Sequence, residues 1–323
     1  MKTTGITALF GLASMASAHY TFDKLLVNDQ KVGGDNTYIR KHDRGYMPTK
    51  GTQILEQDFV CNQNAKAAPQ VVTVKPGDKV GLQQAFGANG IQHPGPTQVY
   101  MMATKDAKAE TGVNGDWFKV AQSLICKAGS AESLRTDAWC SWDENNVNFH
   151  VPDTIPDGEY LVRAEHIALH GAHAGQAEFY YACLQMKVQG SQATALPAMK
   201  TTKIPGVYAV KDKAINFSLW GRATSYPEIP GNLDVIPGGE IRGSADGKTG
   251  DKIQKVAGGA SASSTPAETQ TNNANNTPAQ TQNNNANNTP AQTQNNSGNT
   301  STSNNAAVGA KASCKKRRAA RAL

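Results

Sequence analysis

The sequence predicts an all-β protein, an antiparallel β-sandwich with long loops, followed by a disordered low-complexity tail. From Tyr20 to Val188 the chain is a succession of short β-branched and aromatic runs split by turn residues, with almost no segment of sustained helical period. Many short strands at this spacing point to a sandwich rather than an α/β architecture. The composition also breaks near Gly238. Residues 19–238 carry a net charge of −1, whereas Glu240 to Leu323 carries +6, so the basic balance belongs to the tail and does not point to a nucleic-acid-binding core.

Taken in order, the chain opens with Lys2, a short apolar run from Ile6 to Leu12 and the small residues Ala16-Ser17-Ala18 before His19. This is the layout of a secretory signal peptide over residues 1–18, and its apolar run is too short to span a bilayer. Val71–Val74, Lys75-Pro76-Gly77-Asp78 and Lys79–Leu82 read as strand, type II turn and strand. Further strands are expected at Val99–Met102, Trp117–Val120, Val147–Val151, Tyr160–Ala164 and Ala177–Val188. In the third of these, alternation puts Asn148 and His150 opposite the core residues. Thr201–Gly238, rich in proline and glycine, is expected to lie over the sandwich as irregular structure. From Thr265 a twelve-residue Asn/Thr/Gln/Pro repeat recurs to Thr300, without an aliphatic or aromatic side chain to bury, and a basic tip around Lys315–Arg318 follows. The domain reading is therefore 19–238 folded and 239–323 tail.

The five cysteines are Cys61, Cys126, Cys140, Cys183 and Cys314. None is spaced for a zinc finger, and in a secreted chain four can close two bridges. Three pairings of the first four are open. Cys61–Cys183 with Cys126–Cys140 is favoured, the second because so local a loop closes at modest entropic cost.

Two of the seven histidines carry the sharpest chemical expectation. Cleavage after Ala18 makes His19 the amino terminus, so that its amine and ring can chelate one metal ion. His93 sits in the rigid loop Gln92-His93-Pro94-Gly95-Pro96. The three nitrogens make a T-shaped set suited to Cu(II), which prefers tetragonal N and O ligands. Glu178 and Tyr180 share one face of their strand by the two-residue period and can present a carboxylate and a phenol to that metal.

As an ordered set, His19, Asp58-Phe59-Val60-Cys61-Asn62, His93-Pro94-Gly95-Pro96, Gly115–Lys119, Asp157–Arg163, Glu165–His170 and Glu178-Phe179-Tyr180 with Cys183 resemble the fungal lytic polysaccharide monooxygenases of auxiliary activity family nine. The resemblance runs from His19 to about Gly231. It implies an immunoglobulin-like β-sandwich with a flat face around one copper ion, with His19 and His93 as equatorial ligands, Tyr180 axial, and His170 beside the oxygen co-substrate. It also implies the Cys61–Cys183 bridge and a sugar-stacking role for Tyr226. The activity implied is oxidative cleavage of β-1,4-glucan at C1 or C4 by a secreted monomer, using O2 or H2O2 and an external donor, a small reductant or cellobiose dehydrogenase, with no nucleic-acid or membrane partner.

The sequence departs from the family at two points: Glu178 stands where the family usually has glutamine, and the loop between His170 and Glu178 is about one residue short. Two rivals are weighed against this reading. One is a paired-carboxylate hydrolase using Asp143-Glu144 or Asp157 and Glu159, which sit in apparent turns. The other is a non-catalytic copper-binding or wall-associated protein. Asn216-Phe217-Ser218, in an expected strand, and Asn275, Asn287, Asn295 and Asn299 in the tail are N-glycosylation sequons.

Overall fold

In a computed structural model the described residues are 19–85, 90–127 and 129–257. The expectations for the signal peptide, the repeats, the basic tip, Cys314 and the tail sequons lie outside them. Twelve strands follow in order: β1 (Phe22–Val27), β2 (Gln30–Val32), β3 (Thr49–Lys50), β4 (Val72–Val74), β5 (Lys79–Gln84) and β6 (Thr97–Thr104). Then come β7 (Phe118–Ser123), β8 (Asn146–His150), β9 (Gly158–Ala168), β10 (Glu178–Val188), β11 (Val235–Arg242) and β12 (Ile253–Lys255). Among the described residues no helix is long and apolar enough to cross a membrane.

The strands form a four-stranded sheet, β2-β1-β5-β8, and an eight-stranded sheet, β12-β11-β7-β6-β9-β10-β3 with β4 beside β10. Most pairs are antiparallel, but β4 on β10 and β11 on β7 are parallel. The turn at Lys75–Asp78 forms as expected, with Gly77 at φ +86° and the Asp78 amide on the Lys75 carbonyl. It does not fold its strands onto each other, because β4 lies in the large sheet and β5 in the small one.

Every residue of β10 except Lys187 is buried, which one solvated face would not permit. The alternation supplies the reason. Tyr180, Ala182, Leu184 and Met186 face the small sheet, packing with Leu25, Val80, Leu82 and Phe149. Phe179, Tyr181 and Cys183 face the other way, into a layer built from Phe59, Trp117, Trp139 and the irregular chain from Ile204 to Leu233. The large sheet is thus covered on both sides, and the Pro- and Gly-rich segment is its second cover. Disulfides Cys61–Cys183 and Cys126–Cys140 form as favoured.

Three expectations are corrected. The folded domain does not end at Gly238: β11 runs through that position and β12 closes on it, so the fold reaches at least Lys255, and residues 19–257 are electrically neutral as a whole. Asn216 lies in an exposed bend, not in a strand. Tyr226 is buried, its hydroxyl donating to the Ala214 carbonyl and its ring packed on Trp139 and Phe217, so it has no face to offer a sugar.

Candidate metal centre

His19, Tyr20, His93, His166, His170, Glu178 and Tyr180 come together from four parts of the chain. His93 is held in its proline loop because Gly95 lies against the backbone of Ile167, where any Cβ would strike the Ile167 carbonyl at 1.7 Å. Backbone bonds from Ile167 and Leu169 to the carbonyls of Pro96 and Pro94 fasten the same loop to β9. Beneath the two histidines, Tyr180 is clamped by Tyr20, whose ring stacks on it at 4.1 Å and 23° and whose hydroxyl shares a hydrogen bond with His166 Nδ1. The His19 ring lies 6.5 Å from His93 and 6.3 Å from Tyr180, and the His93 ring 5.8 Å from Tyr180. The two imidazoles thus flank one spot above the phenol.

Glu178 joins this group in an unexpected way. Its Oε2 accepts from the Tyr180 hydroxyl at 2.6 Å, and its Oε1 accepts from Lys50 Nζ at 2.5 Å. Strand register explains the lysine: Lys50 of β3 is the direct cross-strand partner of Glu178 on β10. His170 Nε2 stands 3.5 Å from Oε1 and His93 Nε2 3.8 Å from Oε2. Burial opposes charge on this carboxyl, yet His170, Lys50 and Tyr180 together outweigh it and hold the group well below the usual carboxylate range. Glu178 is therefore an ionised acceptor, where the family's usual glutamine could also donate. Tyr180 responds oppositely: burial first, then the bond to Glu178 and its charge, push the phenol well above its ordinary value.

The donor set fits copper. Burial, reinforced by neighbouring His170, lowers His93 to about 4, so that its ring keeps a lone pair for a metal at neutral pH. Two imidazoles with a phenol and a carboxylate beside them are the N and O donors Cu(II) prefers. The carboxylates of the hydrolase rival are committed elsewhere: Glu144 pairs with Arg242, Glu159 accepts from the Ala107 amide, and Asp157 accepts from the amides of Gly190 and Ser191.

Sequence reasoning missed Tyr20, Lys50 and Trp220. Trp220 is 57% exposed, and its indole N–H donates to the His170 carbonyl at 2.9 Å. Arg135 lies over the Trp220 ring at 5.6 Å and caps the carbonyls of Leu219, Trp220 and Gly221. A tryptophan set among Ser218, Gly221 and Arg222 is a readable sign of exposure, whereas nothing local marks Lys50.

Such a sandwich, with histidines converging over a buried tyrosine at one rim, defines a mononuclear metalloprotein of the copper monooxygenase class. The profile of Auxiliary Activity family 9 (formerly GH61) matches residues 19–226, and the chain belongs to that family. It is 44% identical over 238 residues to lytic polysaccharide monooxygenase A of Aspergillus fumigatus, covering 70% of this chain and 79% of the relative. Against lytic polysaccharide monooxygenase D of Emericella nidulans it is 40% identical over 237 residues, covering 70% and 80%. The solved structure of a cellulose-active polysaccharide monooxygenase from M. thermophila superposes with a TM-score of 0.57 at 25% identity, covering 68% of this chain and all of that one. The protein is a copper-dependent lytic polysaccharide monooxygenase.

Proposed function

We propose that this protein is secreted, is cleaved after Ala18, and oxidises β-1,4-glucan, cellulose in the first place, at C1 or C4. The observation that carries the reading is the convergence of His19 and His93 over Tyr180, with the family match beginning at His19 itself. The amine and ring of His19 and the ring of His93 would hold the copper, with Tyr180 beneath. Copper supplies one-electron redox chemistry strong enough to attack a C–H bond once an external donor, a small reductant or cellobiose dehydrogenase, and O2 or H2O2 are provided.

The chain's own groups divide the remaining work. Tyr20 and His166 fix the Tyr180 ring, and the Glu178 carboxylate fixes its hydroxyl proton. His170 and Lys50, both partly exposed, bring N–H donors to the oxygen co-substrate's side of the site. The exposed Trp220 ring offers a flat apolar surface on which a sugar ring can stack, the role that the family resemblance had implied for Tyr226.

Mass spectrometry of products from the copper-loaded mature protein on amorphous cellulose, with and without ascorbate, tests the reading alongside His19→Ala. Aldonic acids or C4-ketosugars that require both reductant and His19 are expected. Copper retained without oxidised products on any β-glucan would replace it with the non-catalytic copper-binding reading.

A further inference from the structure

His93, His170 and Glu178 bring one ligand atom each to within 4.8 Å of one another, the one such group among the described residues. His19 is not part of it. Two ligands each ~2.1 Å from a tetrahedral ion stand about 3.4 Å apart. The 3.5 Å from His170 Nε2 to Oε1 matches that separation, while His93 Nε2, 3.8 Å from the other oxygen Oε2, stands within the 4.8 Å that contains one ligand atom from each of the three residues. The His93 and His170 rings stand edge to face, their centroids 4.9 Å apart and their planes at 81°.

We propose that this chain can hold a divalent cation on His93, His170 and Glu178 alone, in a two-histidine, one-carboxylate arrangement that needs no amino-terminal histidine. Because His93 serves both sets, the triad and the His19–His93 set exclude each other, and the chain takes one ion in either. Glu178 creates the second set. An ionised carboxylate is a strong ligand for a divalent cation, whereas the neutral amide usual at this place in the family is a poor one.

Lys50 supports the assignment from the other side. Its ammonium sits on Glu178 Oε1 as a cation would, at 2.5 Å, and its side chain is 34% exposed, so it can turn out to solvent when a metal arrives. The Tyr180 bond, on Oε2, need not break. Lys50 therefore competes with the metal, and its removal and that of Glu178 have opposite expected effects.

The test is calorimetric titration of Zn(II), which is redox-inert, into the mature-length protein carrying His19→Ala. One zinc ion is expected to bind. In that background Glu178→Gln and, separately, His170→Ala are expected to weaken binding by at least about tenfold, while Lys50→Met tightens it severalfold. Co(II) absorption reports the same site, since the intense visible bands of a tetrahedral ion should vanish in Glu178→Gln. Thermal unfolding of the metal-free variants separates ligand loss from misfolding. Zinc binding that is absent, or indifferent to Glu178 and His170, would overturn the proposal. The His19–His93 reading fails separately, if Cu(II) binding by the otherwise unaltered protein does not weaken on His19→Ala.

Discussion

Glu178 and Glu240 are both buried carboxylates with a histidine beside them, and they use it in opposite ways. Glu240, on β11, takes both polar groups of one residue: His150 Nδ1 donates to Oε2 at 2.8 Å and the His150 amide to Oε1 at 3.3 Å. Next to it Arg242 closes on Glu144 and Asp251, each at 2.5 Å, and together these groups line a cavity of about 280 Å³. Every charge there has its partner at bonding distance. Glu178 is closed on Lys50 and Tyr180 at 2.5 and 2.6 Å, but the two imidazoles beside it stop short, His170 at 3.5 Å from Oε1 and His93 at 3.8 Å from Oε2, further than a good hydrogen bond. The same residue types make scaffold where the histidine closes on the carboxylate and a candidate metal site where two imidazoles converge on it without closing.

Replacing the histidine of each cluster sharpens this contrast most. His93→Ala is expected to weaken Cu(II) binding by more than about a hundredfold, because it removes a ligand outright and not merely a supporting group. His150→Ala should leave Cu(II) affinity unchanged and cost about 1–2 kcal/mol of folding stability, the loss of a hydrogen bond to a buried charged group. Equal effects of the two variants on copper would break the comparison. Titration calorimetry and denaturant melts read both quantities.

Acid comes next. Burial, with His93 nearby, lowers His166 to about 3, and burial, with His170 nearby, lowers His93 to about 4. The unfolded chain takes up these protons near pH 6.5 while the folded chain refuses them, so the stability of the metal-free protein is full above that pH and falls as pH drops through the window toward 4. At pH 4.5 the loss is on the order of 2–3 kcal/mol for each histidine. Urea melts at pH 7 and 4.5 measure it, and His166→Phe should remove His166's share of the slope.

The smallest effect distinguishes the two aromatics exchanged between sequence and structure. Trp220→Ala is expected to weaken adsorption to cellulose severalfold with a stability change within about 0.5 kcal/mol. Tyr226→Phe should leave adsorption alone and cost about 1 kcal/mol, the bond to the Ala214 carbonyl. Binding isotherms on insoluble cellulose together with thermal melts separate them.

Much of this was legible in the chain itself. The runs at Val99–Met102 and Val147–Val151 fall in strands β6 and β8, and the Cys126–Cys140 bridge formed, because strand propensity and local loop closure are carried by neighbours in sequence. The proline loop around His93 and the shared face of Glu178 and Tyr180 were likewise local facts. Tertiary structure alone decided the rest. Lys50 meets Glu178 only because a two-residue strand pairs with β10 at that register, across 128 positions of sequence. Tyr226 is buried and Trp220 exposed because the irregular chain from Ile204 to Leu233 covers the second face of the large sheet, and composition does not say which aromatic of such a cover turns inward. The fold runs past Gly238 for the same reason: β11 is made a strand by a parallel neighbour more than a hundred residues away, and long-range pairing leaves no periodic mark in the segment that accepts it.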